Sequence, residues 1–234
     1  MRNKRLLVAA LLGSTAAWVT AAQATPELEI TVFDNGVQVG STVTSTSGVA
    51  TFTGHNSDFA SIVVSASGWP LLGTNPDITS VTTDISTAST FSSPAVLTLW
   101  VTQINLTTPK NTTIPFVASG TVNGLTGGTN WGTVEEAQFI DDGNVPNGTA
   151  DPVYSTAIAV TSATTGYTSP QIPIALTSEY SDSQVYTIPF LIASESFQGS
   201  AQLIATIPEP ASLSLLGGGL LAFGAWRRKK RSKA

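Results

Sequence analysis

The chain has 234 residues, only 11% of them charged, and no cysteine, which excludes disulfide staples and thiolate metal sites. Its bases sit at the ends (Arg2, Lys4 and Arg5; Arg227, Arg228, Lys229, Lys230, Arg231 and Lys233), with Lys110 alone between them. Residues 25–207 hold fourteen acids against that one base, a formal charge near −13, and such a surface excludes nucleic-acid binding and attracts divalent cations.

Residues 1–24 read as a secretory signal peptide. Arg2, Lys4 and Arg5 form a cationic start, an apolar stretch runs from Leu6 to Val19, and Ala22-Gln23-Ala24 supplies the small–x–small pattern with Ala22 and Ala24 flanking a signal peptidase site. The competing reading is a permanent N-terminal anchor.

From Thr25 onward no helical period of useful length occurs, and short alternating runs between turn residues predict strands. Leu28, Ile30 and Val32 alternate with polar neighbours, and Asn35-Gly36 signals a type I′ hairpin turn before Val37 and Val39. Further strands are predicted over 49–53, 59–65, 78–85, 95–106, 113–122, 134–140, 153–161, 172–176, 185–192 and 197–206. The runs around 96–101 and 188–192 are apolar on both faces and predict central strands, with Trp100 in the core. Pro115, Pro173 and Pro189 should fall at edges or bulges. With abundant Ser, Thr, Val and Gly, this pattern predicts an all-β antiparallel sandwich of immunoglobulin-like or jelly-roll topology over residues 25–206.

Chemistry-bearing residues are few. The only histidine, His55, lies in the polar turn Thr53-Gly54-His55-Asn56-Ser57-Asp58, and no Gly-x-Ser-x-Gly stretch supplies a nucleophile. Glu135 and Glu136 are adjacent on one strand, so they point to opposite faces and cannot flank one glycosidic bond. No catalytic residues and no enzymatic activity are expected. Asp141, Asp142, Asn144 and Asp151 lie in an Asp/Asn/Gly-rich stretch that could wrap a calcium ion with oxygen ligands, although a plain β-turn loop has the same composition and no cofactor is required. Trp69 and Trp131 sit in turn-rich stretches from which they could stack on sugar rings.

The C-terminal end, residues 207–234, runs Ile207-Pro208-Glu209-Pro210, an apolar transmembrane helix over 211–226, and a basic tail 227–234 whose cluster is Arg227, Arg228, Lys229, Lys230 and Arg231. Sixteen apolar residues at 1.5 Å each span about 24 Å, a little short of a ~30 Å hydrocarbon core. Bases behind the span stay cytoplasmic, so residues 25–210 lie outside the inner membrane.

These three ordered parts resemble the PEP-CTERM sorting signal, a segment also labelled an ice-binding protein C-terminal domain. The only departure is Ile207, where Val is usual. The resemblance implies a Gram-negative protein exported with the help of signal peptidase and sorted by an exosortase acting at Pro208, Glu209 and Pro210, then placed at the cell surface or in the extracellular matrix. A plain single-span anchor is the alternative. On this reading the β domain is a non-enzymatic surface or matrix protein beside extracellular polysaccharide. The other reading of the domain is a carbohydrate-binding or adhesion module, with calcium if Asp141 and its neighbours hold it. The Thr residues show no fixed period, which ranks an ice-binding ladder lower.

Overall fold

Side chains that alternate between apolar and hydroxyl-bearing have one stable home, a sheet with one face buried. The structure, a computed structural model, describes residues 25–69, 78–91, 94–109, 111–126, 132–160 and 164–206. Its described regular elements are fourteen strands. They are β1 (Glu27–Asp34), β2 (Val37–Gln38), β3 (Val43–Ser45), β4 (Val49–Gly54), β5 (Phe59–Ser67), β6 (Ile78–Thr87) and β7 (Ala95–Leu106). The second half gives β8 (Thr112–Thr126), β9 (Thr133–Asp141), β10 (Asp151–Ala159), β11 (Thr165–Thr168), β12 (Ile172–Leu176), β13 (Tyr180–Phe190) and β14 (Ser196–Ala205). The signal and transmembrane helices read from the sequence lie outside the described residues, and among those described no helix is long and apolar enough to cross a membrane.

The strands form two seven-stranded antiparallel sheets. The front sheet runs β10-β9-β13-β7-β1-β2 with β3 also on β1, and the back sheet runs β11-β8-β14-β6-β5-β4 with β12 also on β8. The two apolar runs that predicted central strands are β7 and β13, paired at the middle of the front sheet. The Asn35-Gly36 turn forms as expected, with φ of 48° and 80° at its two residues, the left-handed pair a type I′ turn demands.

The inner faces of both sheets share their apolar side chains. Leu28, Ile30 and Val32 of β1, Leu97, Leu99 and Val101 of β7, and Ile62, Ile85 and Phe197 of the back sheet are all fully buried in one cluster. Phe59 of the back sheet meets Phe190 of the front edge-to-face at 5.2 Å, and burying each such ring is worth roughly 1.5–3 kcal/mol. A second cluster fills the other end with Leu106, Phe116, Ile140, Tyr180, Leu203 and Ala205. Both ends of the described chain leave from beside this second cluster. Asn105 Nδ2 donates to the carbonyl of Thr25 (3.2 Å), and Thr206 donates from its backbone nitrogen and its hydroxyl to the carbonyl of Pro115 (2.8 Å each).

Trp100 is a correction to the sequence reading. Leu99 and Val101 point inward, so strand alternation sends Trp100 to the outer face, where it is half-buried opposite Thr31 and Val185. Of the three strand prolines, Pro173 lies on the edge strand β12 as expected and faces Pro115 directly. Pro115 and Pro189 lie in inner strands instead. Pro189 is tolerated in β13 because the ladder to β9 stops at Thr187, leaving its missing N–H without a partner strand to serve.

Candidate functional site

Between the two apolar clusters the inner face of the front sheet turns polar. Register places Gln184 of β13 directly opposite both Val101 of β7 and Gln138 of β9, and the next inward pair is Tyr186 with Glu136. One step the other way, Asp182 pairs with Gln103. Glu136, Gln138, Gln184, Asp182 and Gln103 are all 0 or 1% exposed, which makes this a polar seam through the middle of the sandwich.

Tyr167 reaches this seam from the back sheet. It stands on the edge strand β11 opposite Gly120 of β8. A Cβ at Gly120 would lie 2.7 Å from the Tyr167 ring and 2.5 Å from the carbonyl oxygen of Ser200, so glycine is what leaves the ring its path. The Tyr167 hydroxyl donates to Glu136 Oε1 in a short contact, and Gln138 Nε2 donates both to that oxygen (3.0 Å) and to the hydroxyl (3.1 Å). Tyr154 of β10 stacks on Tyr167 at 5.1 Å and 11°, closing the edge between the sheets. Gln184 Nε2 donates across the sandwich to the carbonyl of Ile78 at 3.0 Å.

The seam has more acceptors than donors. Glu136 Oε2, Gln138 Oε1 and Gln184 Oε1 are buried and accept no hydrogen bond among the described residues. Those residues include no lysine or arginine, so no cationic side chain among them can neutralise an ionised Glu136. Burial pushes the Glu136 carboxyl up to about 7, against the pull of the hydrogen bonds from Tyr167 and Gln138. Burial, and then the charge and hydrogen bond of Glu136, push the Tyr167 phenol upward in turn. A proton on Oε2 converts one of the surplus acceptors into a donor. What this arrangement can do chemically is hold a proton between the sheets.

The residues singled out by sequence lie elsewhere. Glu135 is exposed on the outer face while Glu136 is buried, as their adjacency requires. His55 is exposed in the β4–β5 loop, beside a cleft that Asp34, Asn56 and Asp58 also line. Asn56 Nδ2 donates to Asp34 Oδ2 there at 2.8 Å, and burial, with Asp58 adding to it, raises the Asp34 carboxyl. Trp69 is half-buried against the second apolar cluster, in a crevice with Pro26, Leu106 and Thr107. Gln103 holds its backbone, accepting from the Trp69 nitrogen (3.2 Å) and donating to its carbonyl. Trp131 lies outside the described residues, as do Ala22, Ala24, Pro208, Glu209, Pro210 and the cluster Arg227, Arg228, Lys229, Lys230 and Arg231.

The Asp141–Asp151 stretch is a loop whose oxygens hold its own backbone and its neighbours. Asp141 Oδ1 accepts from the nitrogen of Gly143 (2.7 Å), Asn144 Oδ1 from that of Asn105 (2.6 Å), and Asn147 Oδ1 from the hydroxyl of Thr102 (2.9 Å). Asp142 accepts from Thr177 and Ser178, tying the loop to the segment between β12 and β13. Its slight burial works the other way, but those hydrogen bonds prevail and hold its carboxyl below the ordinary range. Asp151 begins β10, and among the described residues no three His, Asp or Glu side chains gather closely enough to hold a metal ion.

Glu136, Gln138, Gln184 and Tyr167 are the residues that sequence reasoning missed as a group. The signal was parity: in Val134-Glu135-Glu136-Ala137-Gln138-Phe139-Ile140, both Glu136 and Gln138 share the phase of the apolar Val134 and Ile140.

No curated protein matches the chain. Residues 206–229, which begin one residue after β14 ends, match the PEP-CTERM protein-sorting motif.

Proposed function

We propose that this chain is the precursor of a non-enzymatic cell-surface or matrix protein, exported, held briefly in the inner membrane by its C-terminal span, and processed by an exosortase at Pro208-Glu209-Pro210. One observation carries this reading: the sorting motif at 206–229 abuts the last strand, which ends at Ala205. Thr206 is pinned to Pro115, so cleavage just beyond it removes no strand and no core side chain of the described fold. The sandwich is then the whole working molecule. The scarcity of accessible catalytic groups supports a structural role, since Glu136 is shut behind Tyr154 and Tyr167 and His55 stands exposed in a loop. The acidic, hydroxyl-rich surface suits a hydrated polysaccharide environment.

The test is the intact mass of the protein recovered from membrane, surface and medium of its native host. A surface or medium form lacking residues 1–24 and ending near 208–210 is the expected result. A form that keeps Trp226 and the basic cluster, confined to the inner membrane, would overturn the sorting reading in favour of a permanent anchor.

A further inference from the structure

An unpaired sheet edge is a template for another strand, and natural sheets defend their edges with charge, proline, bulges or brevity. Four of the outer positions here are defended. β10 carries Pro152 and a register shift between Pro152 and Tyr154, β12 carries Pro173, and β2 and β3 are two and three residues long. The fifth, β11, has only four residues. β4 is different. It is a six-residue edge strand, Val-Ala-Thr-Phe-Thr-Gly, with no charge or proline, and its register with β5 is unbroken. Among the described residues no strand pairs with its other side.

The ladder phase says which groups β4 offers. Gly68 donates to the carbonyl of Gly48 at 2.8 Å, continuing the register in which Val49 faces Ser67. Hydrogen-bonded and non-hydrogen-bonded pairs alternate in an antiparallel ladder, so Ala50, Phe52 and Gly54 bond to β5. The backbone groups of Val49, Thr51 and Thr53 point to the open side. Side chains alternate in step: Ala50 and Phe52 are buried, while Val49, Thr51 and Thr53 are exposed.

Charge decides what can approach. From Asn35 to Ser57 there is no Asp, Glu, Lys or Arg, in a domain otherwise strongly acidic. The acids beside it are Asp34 and Asp58, which line the cleft past the end of β4, and Asp84, which lies two strands in, opposite Val63. Two copies can therefore bring these edges together without opposing their acidic surfaces. Val49, 46% exposed, and Val37, 71% exposed, are the large apolar side chains on this flank.

We infer that β4 is a self-association edge at which two copies of the chain pair antiparallel about a two-fold axis through Thr51. In that register Thr51 lies opposite its twin and Val49 opposite the twin of Thr53. All outward backbone groups of the three residues are then paired, and the back sheets join into one continuous sheet. The interface is isologous, the closed form that limits assembly to a pair.

The chain has no cysteine of its own, so a single introduced thiol reports the register. The full-length protein in mild detergent is oxidised gently with Thr51→Cys or Thr53→Cys in place. Hydrogen-bonded partners have Cα atoms about 5.5 Å apart, within the roughly 4.4–6.8 Å that a disulfide accepts. Thr51→Cys should give a reductant-sensitive pair of doubled mass. Two copies of residue 53 lie four residues apart in this register, roughly 13 Å, so Thr53→Cys should stay single. Thr51→Pro removes one outward N–H and leaves the bonds to β5. It should abolish the concentration-dependent doubling of mass expected of the unaltered protein in light scattering, while the thermal melt stays cooperative. Equal cross-linking of both cysteine variants, cross-linking of neither, or an unaltered protein that stays single up to millimolar concentration would each overturn the inference.

Discussion

Replacing Glu136 with Gln removes a buried carboxyl of the inter-sheet seam that burial pushes up to about 7, while keeping shape and an Oε1 acceptor for Tyr167. The carboxyl titrates at about 7 in the fold and near 4.5 in a free chain. Each tenfold difference in proton affinity is worth ~1.4 kcal/mol, so the linkage is roughly 3 kcal/mol. Its sign follows from the folded state holding the proton to higher pH. Stability from this group is complete below pH 4.5, declines as pH rises toward about 7, and levels off above. For a domain of this size, ~1 kcal/mol moves the Tm by about 2–4 °C, so the decline amounts to roughly 6–12 °C. Urea unfolding and thermal melts from pH 4.5 to 8.5 would measure it. The Glu136→Gln variant should lose most of this slope and be the more stable protein at pH 8. An unchanged slope in the variant would refute the reasoning, because the decline would then belong to a group other than Glu136.

The neighbours of this carboxyl make further outcomes measurable. Tyr167→Phe deletes a hydrogen bond that favours ionised Glu136, so the same pH titration should show the decline displaced to higher pH. Gly120→Ala drives a methyl into the Tyr167 ring and the Ser200 carbonyl. Overpacking of this kind costs about 1–3 kcal/mol, which a melt at pH 5 would show. Asp142→Ala releases the ties to Thr177 and Ser178. With this partly solvated site the loss should be roughly 1 kcal/mol, equal in chelator and in millimolar calcium; a larger loss in calcium would reveal a metal in the loop.

Much of the sheet architecture was legible because strand alternation and turn chemistry are local. The Asn35-Gly36 turn, the full length of β7 and the span Ile172–Leu176 of β12 stand where their residues indicated. The short strands β3 and β11 carry no apolar alternation of their own, since their burial comes from partners distant in sequence. Trp100 misled for a related reason: a run apolar on both faces does not declare which phase points inward, and Leu97, Leu99 and Val101 together outweigh one ring. The seam was harder still. Glu136 and Gln138 betray themselves by phase, but Tyr167 joins them only because β11 pairs with β8 at Gly120, a contact that no local pattern encodes.

Thr25 and Thr206 leave the sandwich from the same end, beside Asn105 and Pro115. On the proposed reading, a span in the bilayer would root each precursor by this end, with its Asn35-Gly36 turn at the opposite end of β1. Antiparallel strands run head to tail, so a pair joined through β4 carries its two tails at opposite poles. Tethered neighbours in one bilayer cannot meet that geometry, whereas freed copies, or copies rooted in two facing cells, can. If both the proposed processing and the proposed β4 pairing hold, cutting the tail would do more than release the protein: it would lift the orientational constraint that keeps tethered copies from pairing.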